Sequence, residues 1–432
     1  MTVAIFVFSL LGAMALGMPI AYALLVCGVC LMAFLAGTGV IPAFDGQILA
    51  QRFVDGADNF PLLAVPFFLL AGEFMNAGGL SKRIVNLGVA WVGNYRGGLG
   101  YVAVVAAIIM ASLSGSAVAD TAALAAILIP MMRAAGYDVA RSAGLVAAGG
   151  IIAPVIPPSI GFILFGVAGN VSITKLFLAG IVPGVMMGIA IGIAWWWVAK
   201  RENVLPAPRM PIKERLRETG RSIFAIALPV IIIGGMKFGV FTPTEAAVVA
   251  AIYAFVVGTF IYRELKWSAV YGLFLAAGKT TAVVMFLVSA AMVSAWLITI
   301  ADIPGEVSRM LEPFMHNKTL LMFVMMVLIV IVGTALDFAP TVLILTPVLM
   351  PVVLKAGIDP VYFGVLFIMN NAIGLITPPV GTVLNVVCGV AKISMDDAFK
   401  GVMPFLIAQL IVLFLLVFVP DLVLVPLKWW MP

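Results

Sequence analysis

The sequence predicts an all-α polytopic membrane protein built from two inverted-topology repeats, each with five spans, one of them Pro-broken, and a re-entrant helical hairpin. The first observation is composition: 64% of the 432 residues are hydrophobic and 10% are charged, whereas soluble globular domains carry about 25% charged residues. The second is an apolar, proline-interrupted stretch that occurs twice. The third is an uneven distribution of basic residues between the predicted loops.

The duplicated stretch reads GGIIAPVIPPSIGFILFGVAGNVSITKLFLAGIVP from Gly149 and NNAIGLITPPVGTVLNVVCGVAKISMDDAFKGVMP from Asn370. Pro157-Pro158 matches Pro378-Pro379, and matching positions stay 220 or 221 residues apart. A helix broken inside a membrane leaves backbone groups unpartnered, which is tolerated only where ions, substrate or water satisfy them. A duplicated broken helix therefore indicates the site of a secondary transporter.

The first repeat (1–199) follows from its apolar runs and their interruptions. Its predicted elements are spans at 2–17 and 19–37, an amphipathic surface helix at 42–59, a span at 60–76, an amphipathic stretch at 80–98, a hairpin at about 98–135, a broken helix at about 139–169 and a span at 172–199. The hairpin is predicted because its apolar run is too long for one span. Each half, at 13–15 residues or roughly 20 Å, is too short to cross a core of about 30 Å.

A polar linker (200–221) precedes the second repeat (222–432), in which the same order recurs. Its predicted elements are spans at 222–239 and 243–262, a surface helix near 264–277, a span at 280–300, a polar surface segment at 302–318, a hairpin at about 319–355, a broken helix at about 360–391 and a span at 397–425. Because five crossings is an odd number, the second repeat must be inverted. Placing the linker in the cytoplasm puts 17 of the 24 Lys and Arg residues inside and both termini outside.

Several other classes are disfavoured by the residue inventory. The net charge of +5 comes without a basic patch that carries interleaved aromatics, so no nucleic-acid partner is expected. Cys27, Cys30 and Cys388 all lie in apolar runs, which argues against a disulfide framework or a metal site. The apolar N-terminus has no basic segment before it and is not expected to be a cleaved signal.

The two hairpin tips and the two breaks are predicted to converge as a pair of pseudo-symmetric sodium sites. Sodium prefers hard oxygen ligands, which freed carbonyls and hydroxyl groups supply without burying a charge. Close helix packing and simple kinks would explain either motif alone, but not both motifs found twice. The first site is predicted to comprise Ser112, Ser114, Gly115, Ser116, Pro154, Val155 and Pro157, and the second Gly333, Thr334, Asp337, Gly374, Thr377 and Pro378.

Two carboxylates and a set of neutral polar residues complete the candidate site. Asp120 and Asp337 follow the hairpin tips, where each could cap the returning helix, support the site from behind or contact the cation directly. Since no Lys or Arg lies in the middle of the broken spans, an anionic substrate would be held by helix N-termini, bound sodium and neutral groups. The candidate substrate-lining residues, which could instead only bridge helices, are Ser159, Asn170, Asn370, Asn371, Thr382 and Asn385.

Long motifs resemble the large permease subunit (DctM family) of tripartite ATP-independent periplasmic (TRAP) transporters. These motifs are LSGSAVADTAALAAILIPMMRAAGY, IIAPVIPPSI, FTPTEAAVVAAIYA, PTVLILTPVLMP and GLITPPVGTVLN. The strings FMNAGGLSKRIVNL, SAWLITIADIP and PDLVLVPLKWW are most similar to the 2,3-diketo-L-gulonate-type branch.

The resemblance implies an elevator-type transporter of the ion transporter superfamily, in which roughly 98–170 and 318–391 move against a scaffold. It also implies a bacterial inner-membrane location, a separate small four-helix membrane subunit and a periplasmic substrate-binding protein. The implied activity is sodium-coupled uptake of an organic acid, such as a sugar acid, a sialic acid or a C4-dicarboxylate, with no cofactor besides Na⁺. The alternatives are a stand-alone carrier of the same superfamily, a passive scaffold subunit and an intramembrane hydrolase that uses Ser114 or Ser116.

Overall fold

A computed structural model describes residues 2–202, 206 and 209–431, which form twenty α-helices and, within these ranges, no β-strand. The helices of the first half are α1 (Thr2–Ala15), α2 (Ile20–Gly37), α3 (Gly46–Ala57), α4 (Ala64–Ala77), α5 (Leu80–Val92), α6 (Gly98–Ser114), α7 (Ala117–Ala134), α8 (Val139–Gly150), α9 (Ile160–Gly169) and α10 (Ile173–Arg201). Those of the second half are α11 (Ile212–Lys237), α12 (Pro243–Val256), α13 (Trp267–Ile300), α14 (Ile303–Leu311), α15 (Lys318–Ala335), α16 (Phe338–Lys355), α17 (Pro360–Gly374), α18 (Thr382–Ala391), α19 (Met395–Phe418) and α20 (Asp421–Trp430).

The helices confirm the predicted all-α, multi-span class. Among the described residues, ten helices are long and apolar enough to cross a membrane. Three of the ten, α7, α15 and α16, are hairpin arms that the sequence predicts to enter the membrane without crossing it. The inverted orientation of the second half stays a prediction.

Both hairpins turn within two residues. Gly115-Ser116 connects α6 to α7, and Leu336-Asp337 connects α15 to α16. The arms contain 17 or 18 residues, so the predicted length of 13–15 is too short. The helices extend further because α6 begins at Gly98 and α7 continues beyond Pro130 to Ala134. At 1.5 Å per residue an arm is about 26 Å long, so its length no longer separates a re-entrant arm from a span.

A non-helical segment interrupts each of the two predicted broken helices. We call these segments the first break (151–159, between α8 and α9) and the second break (375–381, between α17 and α18). Each break contains a cis Pro-Pro peptide bond, Pro157-Pro158 and Pro378-Pro379. Proline lacks an N–H group and cannot continue the helical hydrogen-bond ladder, so both helices stop at these segments.

The predicted separation of a surface helix (264–277) from a span (280–300) is wrong, because α13 runs without interruption through both. The matching part of the first half is interrupted by Asp58, Asn59 and Pro61, and a 3₁₀ turn connects α3 to α4 there. The second half has no proline at the corresponding place, so nothing ends the helix.

Three further predicted segments also differ from the structure, either in where they end or in being helical. The last span stops at Phe418 rather than near 425, and Pro420 precedes the separate short helix α20. The polar surface segment 302–318 is mostly helical, as α14 followed by a 3₁₀ turn. The linker 200–221 is helical from Ile212 onward, where α11 begins, whereas residues 203–205, 207 and 208 of that linker lie outside the described residues.

Helix packing crosses between the two halves around the breaks. The second part of each broken helix lies on the hairpin of the other half: α9 packs against α16, and α18 packs against α7. Helix α8 packs closely along α19, where Gly144 and Gly401 bring the two backbones together. These contacts place each break beside the hairpin of the other half.

Candidate functional site

The first hairpin tip touches the first break through Gly115. This residue has a left-handed backbone conformation (φ +65°), and a Cβ atom at its position would collide with the carbonyl oxygen of Pro158. Only glycine combines this conformation with such a close approach. The structure thus brings the predicted tip and the predicted break of the first half into direct contact, with the Pro158 carbonyl at the junction.

A buried polar cluster lies directly behind this tip. The hydroxyl of Ser114 donates to Asp120 Oδ1 (2.5 Å) and accepts from the backbone N–H of Ser116 (3.2 Å). Asp120 is 2% exposed. Within the described ranges its Oδ2 atom, like the hydroxyl of the neighbouring Thr121, has no hydrogen-bond partner. Buried oxygens that lack donors are suited to a cation, which removes the cost of leaving them unpaired.

Ser116, rather than Asp120, caps the returning helix α7. Its side chain accepts from the N–H of Ala119 at 3.4 Å. Asp120 lies one turn further along α7, and the sole partner of its carboxylate among the described residues is Ser114. Of the roles considered for Asp120, capping therefore falls to Ser116, and support of the tip or contact with a cation remains.

The first break is fully enclosed, because every residue from 151 to 159 is buried. Ser159 closes it: its hydroxyl donates to the Pro154 carbonyl (2.5 Å) and caps α9 by accepting from the N–H of Phe162 (3.1 Å). The Val155 carbonyl is directed toward Gly180 of α10 and not toward the hairpin tip. The break therefore presents different carbonyls to different neighbours.

The second tip and break are joined by backbone contacts. Gly333 and Gly374 approach so closely that a Cβ atom at Gly374 would lie 2.6 Å from the Gly333 carbonyl oxygen. The N–H of Val380 donates to the Thr334 carbonyl at 3.4 Å. The Thr334 hydroxyl instead donates to the Ile331 carbonyl of its own helix at 2.8 Å, and the Thr377 hydroxyl donates back to the Ile373 carbonyl of α17 at 2.9 Å.

Asp337 connects the second hairpin to the second broken helix. It occupies the N-cap position of α16 but its side chain makes no capping hydrogen bond there. Its Oδ1 atom accepts from the hydroxyl of Thr382 at 3.3 Å, across to the start of α18. Asp337 also borders a cavity of about 560 Å³ between α2, α13 and α16. The carboxylate of the second half is thus accessible, whereas Asp120 is enclosed.

The second break is open where the first is closed. Thr377 and Pro378 are half-buried and Pro379 is exposed. Helix α18 begins after Gly381 without a side-chain cap, and Asn385 in its first turn is exposed. An uncapped helix N-terminus carries free N–H groups and a partial positive charge, which together attract anions.

Asn370 and Asn371 are both 1% exposed and use their amide groups differently. Asn370 Nδ2 donates to the carbonyl of Met326 (2.7 Å) on α15, and Asn371 Nδ2 donates to the carbonyl of Phe338 (2.7 Å) on α16. The Oδ1 atoms of both have no partner in the described part of the chain. The Oδ1 of Asn371 faces Gly333 at the second tip.

Of the remaining predicted residues, Ser112 and Asn385 use their side chains in local hydrogen bonds, and Asn170 lies away from the site. The Ser112 hydroxyl donates to the Ile109 carbonyl of its own helix at 2.6 Å. Asn170 ends α9 in a left-handed conformation and is exposed, about 17 Å along that helix from Ser159. Asn385 Nδ2 donates to the Val380 carbonyl at 2.9 Å. The structure therefore does not bring Asn170 together with the tips and breaks.

Three residues at the junctions are absent from the predicted site residues. The Pro158 carbonyl meets Gly115, the Thr121 side chain lies against Gly150, and the ring of Phe338 lies against Gly161 at the start of α9. Phe338 thereby links the second hairpin to the first broken helix. The glycines at the matching positions were the available signal, since each marks a place where a neighbour approaches the backbone.

Comparison with known proteins places this site in context. The model of the family described as "Tripartite ATP-independent periplasmic transporter, DctM component" matches residues 7–422. The chain is 58% identical, over 99% of its length and 100% of the relative, to the 2,3-diketo-L-gulonate TRAP transporter large permease protein of Escherichia coli strain K12. It is 36% identical, over 96% of both chains, to the sialic acid TRAP transporter large permease protein of Vibrio cholerae serotype O1.

A solved structure shares the fold at low sequence identity. The YdaH transporter of Alcanivorax borkumensis superposes with a TM-score of 0.61 and 16% sequence identity, over 85% of this chain and 86% of that one. At this identity the similarity concerns the arrangement of helices alone.

Proposed function

Since this chain belongs to the DctM-component family of tripartite ATP-independent periplasmic transporters and is a large permease subunit, we propose that it couples the uptake of an organic acid to a sodium gradient. The observation that carries the proposal is the repeated contact of a hairpin tip with a broken helix. Each contact lies beside an oxygen atom that has no donor among the described residues: Asp120 Oδ2 behind the first tip and Asn371 Oδ1 beside the second.

The first sodium ion would be held near Ser114, Asp120 and the carbonyls of the first break. The second would lie between Gly333, Asp337 and the second break. In both places the oxygens are neutral carbonyl and hydroxyl groups with a single carboxylate, a set suited to one monovalent cation. Residues 112–121, 151–161, 333–341 and 371–385 contain no Lys or Arg that would repel it.

The substrate carboxylate would bind at the N-terminus of α18. Among the described residues, the backbone N–H groups of Thr382 and Leu384 make no hydrogen bond, and the amide of Asn385 is exposed beside the second break, so these groups would hold the carboxylate. The N–H of Val383 already donates to the Leu375 carbonyl (3.1 Å), and the Thr382 hydroxyl already donates to Asp337. Binding a carboxylate at a helix N-terminus requires no cationic side chain, and the adjacent sodium ion would compensate the remaining charge. The substrate class is therefore an organic acid, such as a sugar acid, a sialic acid or a C4-dicarboxylate.

The proposed assembly consists of this multi-pass subunit, a small four-helix membrane subunit and a periplasmic substrate-binding protein, in the bacterial inner membrane. Both termini would be periplasmic, because that orientation leaves most Lys and Arg residues on the cytoplasmic side.

Transport by the reconstituted complex tests the coupling ion. With binding protein and small subunit present, uptake into proteoliposomes should fall at least tenfold when potassium replaces sodium, because a site fitted to sodium loses ligand contacts around the larger ion. Unchanged uptake driven by a proton gradient alone would contradict sodium coupling. Uptake that persists without the binding protein would instead indicate a stand-alone carrier.

A further inference from the structure

An apolar groove of about 660 Å³ runs between α10 and α19 on the outer surface of the helix assembly. Its walls are large, exposed apolar side chains, including Ile189 and Ile193 on one side and Ile407 and Ile411 on the other. Exposed apolar side chains on membrane-spanning helices face the acyl chains of the bilayer, so a groove in this surface is open to lipid.

The groove exists because its floor is made of small residues. Ala190 and Ala194 of α10 and Ala408 of α19 line it, and all three are half-buried. Small side chains between rows of isoleucine leave a channel along the two helices. The buried Gln409 supports this spacing, because its Nε2 donates to the Met187 carbonyl of α10 at 3.1 Å.

Two basic residues lie at one end of the groove, directly beyond its last aromatic residues. Trp196 and Trp197 line that end. The Lys200 Nζ lies 5.4 Å from the centre of the Trp196 ring, and the Arg201 Cζ lies 3.5 Å from the centre of the Trp197 ring. Stacking occupies the face of a guanidinium group and leaves the N–H groups along its edge available to an anion.

Neither cation is neutralised within the described part of the chain. Neither Lys200 nor Arg201 forms an ion pair with a described residue, and the adjacent Glu202 is paired with Arg141 at 3.3 Å. The backbone carbonyl of Lys200, not its ammonium group, accepts from Arg96 at 3.4 Å. The groove thus ends at a pair of positive charges that have no carboxylate partner among residues 2–202, 206 and 209–431.

The length of the groove fits one leaflet of a bilayer. From Trp197 back to Met186 the lining residues of α10 extend about 17 Å, at 1.5 Å per residue. Half of a hydrocarbon core of about 30 Å is about 15 Å, and tryptophan is enriched where that core meets the headgroups. An apolar channel of this length, a tryptophan boundary and two cations beyond it have the same sequence of polarities as a phospholipid.

We propose that this groove binds one anionic phospholipid, with an acyl chain between α10 and α19 and its phosphate at Lys200 and Arg201. The headgroup then lies on the side of the membrane that carries the 200–221 linker. Since α10 and α19 follow the two broken helices along the chain, the bound lipid stays in contact with the helices that enclose the candidate site.

Native mass spectrometry of the delipidated complex, titrated with phosphatidylglycerol or with phosphatidylcholine of the same chains, measures the preference. Two basic side chains near a membrane surface contribute about thirtyfold in affinity for the anionic lipid. Lys200→Gln together with Arg201→Gln should therefore reduce phosphatidylglycerol binding to the level of phosphatidylcholine. The control, Lys213→Gln together with Arg217→Gln, removes the same charge from exposed positions on α11 and should leave the preference unchanged.

Filling the groove tests the acyl chain. Ala194→Phe, or the milder Ala408→Leu should the first fail to fold, should weaken binding of both long-chain lipids at least fivefold. Binding of a dihexanoyl phosphatidylglycerol, whose chains are too short to fill the groove, should change less than twofold.

Three results would overturn the proposal. Equal affinity for phosphatidylglycerol and phosphatidylcholine would show that Lys200 and Arg201 do not distinguish between the headgroups. Competition by glycerol 3-phosphate at concentrations equal to the lipid would indicate a site for free phosphate. A photoreactive residue in place of Ile193 should cross-link to a phospholipid, so its cross-linking to the small membrane subunit would assign the groove to a protein helix.

Discussion

Ser112 and Ser114 lie two residues apart in α6, but their hydroxyl groups serve different purposes. The Ser112 hydroxyl donates to a carbonyl of its own helix, and such a bond is satisfied without any ligand. The Ser114 hydroxyl donates to Asp120, whose second oxygen is left unpartnered among the described residues. Only Ser114 is therefore positioned to orient a carboxylate toward a cation.

Replacing these two serines should separate the roles. Ser114→Ala removes the bond that orients Asp120, and hydrogen bonds to charged groups contribute about 1.5–3 kcal/mol, so the sodium concentration for half-maximal uptake should rise at least about tenfold. Ser112→Ala should change it less than twofold. Sodium titration of uptake into proteoliposomes provides the measurement, and equal shifts in the two variants would contradict a site centred on Ser114.

At the residue scale, the sequence predicts which segments form the site but not which of their oxygen atoms face it. The Ser-Gly-Ser and Pro-Pro motifs indicated the tips and breaks, which the structure places in contact. Sequence position does not show that the Val155 carbonyl faces α10 while that of Pro158 faces Gly115. The direction of a carbonyl depends on backbone dihedral angles inside the break, and no periodic pattern encodes these.

Among the helices, the contact of α8 with α19 joins the first part of a broken helix to the last long span. A Cβ atom at Gly401 would collide with the backbone carbonyl of Ala140, and one at Gly144 would collide with the backbone of Gly401. Arg141 reinforces the contact by donating to the carbonyls of Lys400 and Gly401 at 3.1 and 3.0 Å. Small residues at a membrane helix interface allow this close approach.

Gly401→Ala should accordingly destabilise the protein. The added methyl group meets backbone atoms that cannot rotate away, and overpacking of this kind costs about 1–3 kcal/mol. Gly192→Ala is the matched control, because nothing lies within 4 Å of a Cβ atom at that position of α10. Thermal unfolding in detergent should show a lower midpoint for Gly401→Ala and an unchanged or higher one for Gly192→Ala. The reverse order would show that α8 and α19 are not in contact.

Helix boundaries were predictable where a residue ends a helix and were missed where none does. Asp58, Asn59 and Pro61 separate α3 from α4 as the sequence indicates, whereas polarity alone suggested a separation inside α13 that the structure lacks. A change from polar to apolar residues alters what surrounds a helix but does not stop it. Proline does stop one, as Pro420 does between α19 and α20.

For the molecule as a whole, the multi-span class and the family followed from hydropathy and from long motifs, and both are confirmed. The inverted orientation and the elevator motion remain predictions, since each describes a relation to a membrane or to a second conformation. Side-chain exposure indicates which residues of the 200–221 linker could contact a partner. Arg215, though part of this polar segment, is only 8% exposed, so its side chain is covered by the chain itself.

The outer surface that would receive the binding protein includes α14 and the turn after it. Arg309 and Asp302 form an ion pair there at 3.9 Å with side chains 68% and 74% exposed. Such a pair is weak in water, so Arg309 can exchange partners readily. Mixed exposed charge of this kind favours a fast, salt-sensitive encounter.

Charge reversal at Arg309→Glu together with Glu312→Arg should slow uptake several-fold and alter its dependence on salt, because the steering field is inverted while the net charge is unchanged. Lys213→Glu together with Glu214→Lys makes the matched exchange at exposed positions of α11 and should have no effect. The measurement is uptake as a function of binding-protein concentration and ionic strength. An effect of the α11 exchange alone would mean that the proposed orientation is reversed.

The unequal exposure of the two breaks has a consequence for timing. A ligand in the enclosed first break can leave only as fast as the surrounding helices separate, whereas a ligand at the half-exposed second break exchanges by diffusion. If each break holds one sodium ion, we expect the two ions to depart in a fixed order, with the ion at the second break first. The ion at the first break would then set the lifetime of the loaded state, because it stays bound until the helices around the first break separate.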